Sequence, residues 1–183
     1  MLPEENKQIW QLLSDVLDYP NASLPESARK CAQMLEGFSL DTVRAMQSFV
    51  TFVRTQNIAQ LEEVYTQTFE FNPATTLYIG YHVFGETPKR SRFMNRLKEA
   101  YLSQQFSIGG ELPDHLCVLL RFLGTPADLE FMMPLIQDGI LPALEKIENN
   151  ISEKGNCYAE AVNSIRLFLK EAYGLKKVGD GHV

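Results

Sequence analysis

The stretch Glu111–Pro126, ELPDHLCVLLRFLGTP, is bounded by a start signal and a stop signal. Leu116, Leu119, Leu120 and Leu123 recur at the i, i+3, i+4, i+7 spacing of one helix face. Pro113 fits a helix start, and Asp114 in the first turn would accept free backbone N–H groups and oppose the positive end of the helix dipole. Gly124, Thr125 and Pro126 end the run. Asp128 is placed to answer Thr125 in a capping arrangement that opens the next helix.

The same period extends in both directions. Ile9, Leu12, Leu13, Val16 and Leu17 form one face, stopped by Tyr19-Pro20-Asn21. Ser23 with Glu26 reads as a capping box, Ser39 as a cap, and Asn57 with Gln60 as another start. Thr87-Pro88 is an N-cap followed by proline at the first helical position. Pro134 and Pro142 are expected to kink or divide their segment. A last helix is expected from about Cys157 to Tyr173, ending at Gly174. Strand alternation never persists. The expected fold is all-α: one helical-globule domain of about eight helices over residues 1–174, with residues 175–183 a tail expected to be disordered. The aromatic-rich segment Tyr65–Tyr101 is the expected centre of the core.

The chain has 183 residues and a net charge of −6. That length fits one domain with a self-sufficient core. The acidic balance argues against a general nucleic-acid binder and against an anionic membrane surface as partner. Three dispersed cysteines without a Cys-x-x-Cys spacing suit buried, reduced thiols. Neither a leader-like N-terminus nor a membrane-length apolar run is evident, so a cytoplasmic location is expected.

Three groups of residues could carry function. Asp114 and His115 pair an acid with an imidazole, but no nucleophile, phosphate loop or metal-ligand spacing accompanies them, which leaves hydrolysis a minor alternative. Catalytic and metal residues are therefore expected to be absent. Lys89, Arg90, Arg92, Arg96 and Lys98 are the one dense basic cluster. Lys89, Arg92 and Arg96 share a helix face, and the first of these cations oppose the helix dipole at a cost of about 0.3–1 kcal/mol each. Such a patch suits an acidic partner surface or the phosphates of a nucleotide-like cofactor, although a solvated helix face would look the same. Tyr65, Phe69, Phe71, Tyr78, Tyr81 and Phe84 are individually core candidates, yet together could line a groove for an amphipathic helix. A ligand-binding regulatory domain is a further alternative.

The run LEEVYTQTFEFNPATTLYIGYHVFGETPKRSRFMNRLKEAYLSQQF, followed by ELPDHLCVLLRFL, resembles the NarJ branch of the TorD/DmsD/NarJ redox-enzyme maturation chaperones. The strong part spans about residues 61–123. Two positions depart from the usual pattern: Cys117 stands where proline is common, and Arg121 where an acid is common. The resemblance implies an all-helical, non-catalytic assembly chaperone. Its partner would be the N-terminal segment of the catalytic alpha subunit of a membrane-bound nitrate reductase, or another molybdoenzyme of that class. The chaperone would hold no cofactor stably. Its client would receive bis-molybdopterin guanine dinucleotide and an iron–sulfur cluster. Carried over, Asp114 and His115, flanked by Pro113 and Leu116, would contact the client, with Tyr78, Tyr81 and Phe84 receiving its apolar face. Lys89, Arg90, Arg92 and Arg96 would form a basic contact patch.

Overall fold

The computed structural model describes residues 4–126, 128–151 and 156–175. The helices are α1 (Glu4–Leu17), α2 (Leu24–Met34), α3 (Leu40–Thr55), α4 (Ile58–Tyr65), α5 (Ile79–Phe84), α6 (Pro88–Ser103), α7 (Leu116–Leu123), α8 (Leu129–Pro134), α9 (Leu141–Asn150) and α10 (Cys157–Ala172). A π-helical turn, Thr66–Glu70, prolongs α4, and another, Leu135–Ile140, joins α8 to α9. Counted with these extensions, the described residues hold nine continuous helical bodies and no strand, so the fold is all-α as expected. The expected tail lies outside the described residues except for Leu175, which packs against the core.

Local chemistry accounts for most helix starts. The Ser39 hydroxyl accepts from Thr42 N–H at 3.3 Å. Asn57 and Gln60 form a reciprocal capping box. Two expected caps differ. The Ser23 hydroxyl lies 2.6 Å from Asn21 Oδ1 instead of capping α2, and Glu26 pairs with Arg29 and Lys30. Thr125 donates back to Phe122 O, so Asp128 itself caps α8 through Glu130 N–H. In both cases a nearer acceptor captures the hydroxyl. Pro134 and Pro142 do not break their segment but bracket its π turn: Pro134 is the last residue of α8 and Pro142 lies in the first turn of α9.

The core lies between α1, α3, α7 and α10, with α3 against α10 and α1 against α7. Every residue of α7 except Arg121 is buried. Each buried leucine there contributes about 1.5–3 kcal/mol. The expected centre in Tyr65–Tyr101 needs correction. Tyr65, Phe69 and Tyr101 are buried, but Phe71 is 77% exposed and Tyr78, Tyr81 and Phe84 are only half-buried. Helix α7, buried at every position but Arg121, fills the middle and leaves the six-residue α5 at the rim.

Ser14 on α1 ties α1 to α7. Its hydroxyl donates to Cys117 O at 3.1 Å and accepts from Arg121 Nη1 at 3.0 Å. Both departures from the NarJ-like pattern therefore meet the same buried serine. Just beyond α7, a Cβ on Gly124 would lie 2.9 Å from Trp10 Cβ. Trp10 is buried edge-on against Phe168, their ring centroids 5.1 Å apart. Gly124→Ala is expected to destabilise the protein by about 1–3 kcal/mol. Urea unfolding followed by the fluorescence of Trp10, the sole tryptophan, measures this; an unchanged midpoint would contradict the packing.

Candidate functional site

The segments leading into α5 and α7 are joined side by side. Ile79 N–H donates to Asp114 O at 2.9 Å and Leu116 N–H to Leu77 O at 2.8 Å, an isolated antiparallel bridge at Tyr78 and His115. A third segment closes over it. From α6, Arg90 places Nε 2.8 Å from Asp114 Oδ2 and Nη2 3.4 Å from Oδ1. The Asp114 side chain is fully buried, and that of Arg90 is 19% exposed. Gly80 makes room for the pair: a Cβ there would lie 2.6 Å from Asp114 Oδ2 and 3.1 Å from Arg90 Cγ. Helix α7 begins only at Leu116, so Asp114 is not in its first turn. The expectation of an acid opposing the helix dipole is replaced by a buried ion pair.

His115 is the N-cap of α7, its Nδ1 accepting from Cys117 N–H at 3.3 Å. Tyr78 stands between cationic and imidazole partners. Its ring meets His115 edge-on at 5.1 Å, Arg90 lies 5.7 Å from its centroid, and its hydroxyl donates to Glu111 at 3.1 Å. Burial pushes the His115 pKa below the ordinary 6.5, against the smaller opposing pull of Glu111, Asp18 and Asp114, with Arg121 adding to the depression. The ring is therefore neutral at pH 7, consistent with an accepting Nδ1.

Of the residues expected to touch a client, Pro113, Asp114 and Leu116 are buried, and His115 is 9% exposed. Their side chains face inward and hold the rim together. Tyr78, Tyr81 and Phe84 are half-buried on or beside α5, spaced i, i+3, i+6 in a slowly winding stripe about 9 Å long. Phe84 reaches a cleft of about 310 Å³ between α6 and the α8–π segment, floored by Phe93, Leu97, Phe131 and Leu135. Arg96 stands on one lip, Glu130 and Asp138 on the other. Arg96 and Phe131 also line an adjoining cleft of about 370 Å³ bordered by Glu99 and Asp128. The basic cluster is thus split. Arg90 is consumed by Asp114, whereas Lys89, Arg92, Arg96 and Lys98 are exposed and enter no ion pair among the described residues.

Sequence reasoning missed Phe131, Leu135, Glu130 and Asp138. The one available signal was the segment bounded by Pro134 and Pro142, since π turns often accompany binding sites. A larger cleft, about 490 Å³, is lined by Trp10, Phe38 and Phe168 together with Leu129 and Met132 of α8. It contains none of the sequence-predicted site residues and borders Pro126, next to a residue outside the described set.

The arrangement does not suit acid–base catalysis. Asp114 spends both oxygens on Arg90, and His115 Nδ1 is taken by backbone, so neither orients the other. Burial raises the neighbouring Cys117 thiol far above the range of a nucleophile. Among the described residues searched, no group of three or more His, Cys, Asp or Glu could hold a metal ion.

Two outcomes follow from this geometry. Asp114→Asn and Arg90→Met are each expected to cost about 3 kcal/mol, because either leaves a buried partner unpaired. The double variant should cost little more than one alone when measured by chemical denaturation. Independent, additive losses would contradict a shared pair. Because the folded His115 pKa lies below the unfolded 6.5, its contribution is present above that value and is lost as pH falls through the folded one. Stability should therefore drop between about pH 7.5 and pH 5.5, and His115→Asn, which keeps a capping side chain, should reduce that drop. His82, likewise lowered by burial, should supply part of the remainder. An unchanged slope in His115→Asn would contradict the assignment.

Residues 35–162 match the family described as nitrate reductase delta subunit. The chain is 28% identical over 158 residues to the nitrate reductase-like protein NarX of Mycobacterium tuberculosis, covering 86% of this chain and 24% of NarX. It thus spans about a quarter of that relative's length. It is 23% identical over 173 residues to the nitrate reductase molybdenum cofactor assembly chaperone NarJ of Escherichia coli (strain K12), covering 92% of this chain and 72% of NarJ. In shape it resembles the crystal structure of a candidate redox enzyme maturation protein from Archaeoglobus fulgidus, with a TM-score of 0.63, 22% identity and coverage of 90% and 93% of the two chains. NarJ is, by its description, a molybdenum cofactor assembly chaperone. The matched region spans most of the chain, including the α5 stripe, the Arg90–Asp114 pair and both lips of the cleft, and this chain belongs to the nitrate reductase delta subunit family.

Proposed function

We propose that this protein is a cytoplasmic assembly chaperone that binds the N-terminal segment of the catalytic alpha subunit of a membrane-bound nitrate reductase. It keeps that subunit competent to receive its molybdenum cofactor and iron–sulfur cluster, holds neither group stably itself, and leaves before final assembly. No described helix is long and apolar enough to cross a membrane, which fits a partner that meets its client before membrane docking.

The observation that carries this reading is the apolar cleft at Phe84, Phe93 and Phe131 within the family-matched region. Apolar surface left open beside charged lips suits reversible helix binding. Asp114 and His115 act in this reading by positioning: they fix the start of α5, so that Tyr78, Tyr81 and Phe84 face outward. Of the basic patch, Lys89, Arg92 and Arg96 remain free to meet acidic groups of the client.

Phe84→Ala and Tyr81→Ala are expected to weaken calorimetric affinity for the N-terminal peptide of the alpha subunit about tenfold, or roughly 1.4 kcal/mol each. Phe71→Ala, exposed and outside the cleft, should leave it unchanged. Equal affinity in all three variants would remove the cleft as the client seat.

A further inference from the structure

The cleft of about 490 Å³ differs in its walls from the two beside α6. Its walls converge from five segments: α1, the turn after α2, the end of α7, α8 and α10. Such a pit suits a compact molecule, whereas a client helix needs a groove along which successive turns can anchor. The floor is aromatic. The ring of Phe168 is met edge-on by Trp10 at 5.1 Å and by Phe38 at 4.9 Å. Trp10 and Phe168 are buried, Phe38 and Tyr173 are half-buried, and Leu129 is 63% exposed at the rim. The charge also differs. Both clefts beside α6 carry acids, Glu130 and Asp138 in one and Glu99 and Asp128 in the other. No acid lines the large cleft among the described residues, and its one charged side chain is the exposed Lys7. In a chain with a net charge of −6, an acid-free apolar pit with a lysine at its edge selects for negative charge.

We propose that this cleft is a second binding site, separate from the client cleft, for a compact aromatic anion: a planar apolar body bearing one acidic group. The ring system lies against Trp10, Phe38 and Phe168, where edge-on and offset contacts add to the burial of apolar surface. The acidic group stays at the mouth beside Lys7, partly hydrated, so no charge is buried without a partner. The apolar walls supply most of the affinity. The lysine contact is exposed, so it selects by only a few-fold and fades with salt. The large cleft and the client cleft have no lining residue in common, so each can be altered alone.

The test titrates anilinonaphthalene sulfonate into the full chain. Binding is read by the probe's fluorescence and by quenching of Trp10, the sole tryptophan and a wall of the cleft. Wild type should bind one equivalent. Ala172→Phe, which fills the cleft from an exposed position at the end of α10, should weaken binding about tenfold. Leu129→Gln, which only removes apolar wall from the exposed rim, should weaken it about threefold and serves if the first variant folds poorly. Lys7→Gln should weaken it about threefold at low salt and leave it unchanged at high salt. Naphthoate should displace the probe, and octanoate at the same concentration should not. Phe84→Ala, outside this cleft, should bind the probe as wild type does. Unchanged binding in both Ala172→Phe and Leu129→Gln, or its loss in Phe84→Ala, would place the probe elsewhere and overturn the proposal. Equal displacement by octanoate, or no effect of Lys7→Gln at low salt, would overturn it as well. Tighter binding in Val178→Asp with Val183→Asp would assign the cleft to the chain's own last residues, and affinity that falls as protein concentration rises would assign it to a second copy. Either result removes the small-molecule site.

Discussion

The Asp114 carboxylate has no exposure to water, so it needs a cation and room for that cation. Arg90 supplies the charge and Gly80 the space. Because Asp114 also lends its carbonyl to Ile79, one residue fastens the segments before α5 and α7 to the first turn of α6. A buried ion pair is not an efficient source of net stability; a packed apolar group often does as well. What this pair provides is geometry. It holds three chain segments in one register and leaves the aromatic stripe of α5 at the surface.

Stability and the proposed recognition are carried by different parts of the molecule. Helix α7 and its neighbours α1, α3 and α10 bury aliphatic and aromatic side chains around a continuous core. Helix α5, only six residues long, depends on its surroundings: Lys146 of α9 caps its end by donating to His82 O at 2.8 Å, and His82 Nε2 donates to Thr76 O at 2.6 Å. A short helix of this kind has little stability of its own. Its position is set by contacts from several elements, while its outward residues remain available to a partner. The two departures from the family pattern, Cys117 and Arg121, both meet Ser14 of α1, the one through its carbonyl and the other through its guanidinium.

Much of the helical plan was legible residue by residue. The apolar period, the Asn57–Gln60 box, the Ser39 cap and the Tyr19-Pro20 stop all act within a turn or two of chain, and the structure retains them. The misread caps at Ser23 and Thr125 are also local, but there two acceptors compete and sequence does not rank them. Asp114 was misread for a deeper reason. An acid following Pro113 has the same local pattern whether it caps a helix or neutralises a buried arginine. Likewise Arg90 was one of five clustered cations, indistinguishable by spacing from Lys89 and Arg92. Phe131, Glu130 and Asp138 gave no local sign of facing Phe84 and Arg96 across a cleft.

By itself, then, the amino-acid order determined an all-helical chain, most of its helix limits and the family pattern around Tyr78–Phe84 and Pro113–Leu116. These depend on backbone hydrogen bonds and side-chain periods of three or four residues. Tertiary structure alone decided that Asp114 is spent on Arg90, that His115 caps a helix as a neutral ring, and that a charged trough opens beside Phe84. Those outcomes depend on desolvation and on partners distant in the chain, 24 residues away in the case of Arg90 and Asp114, and no local period encodes them.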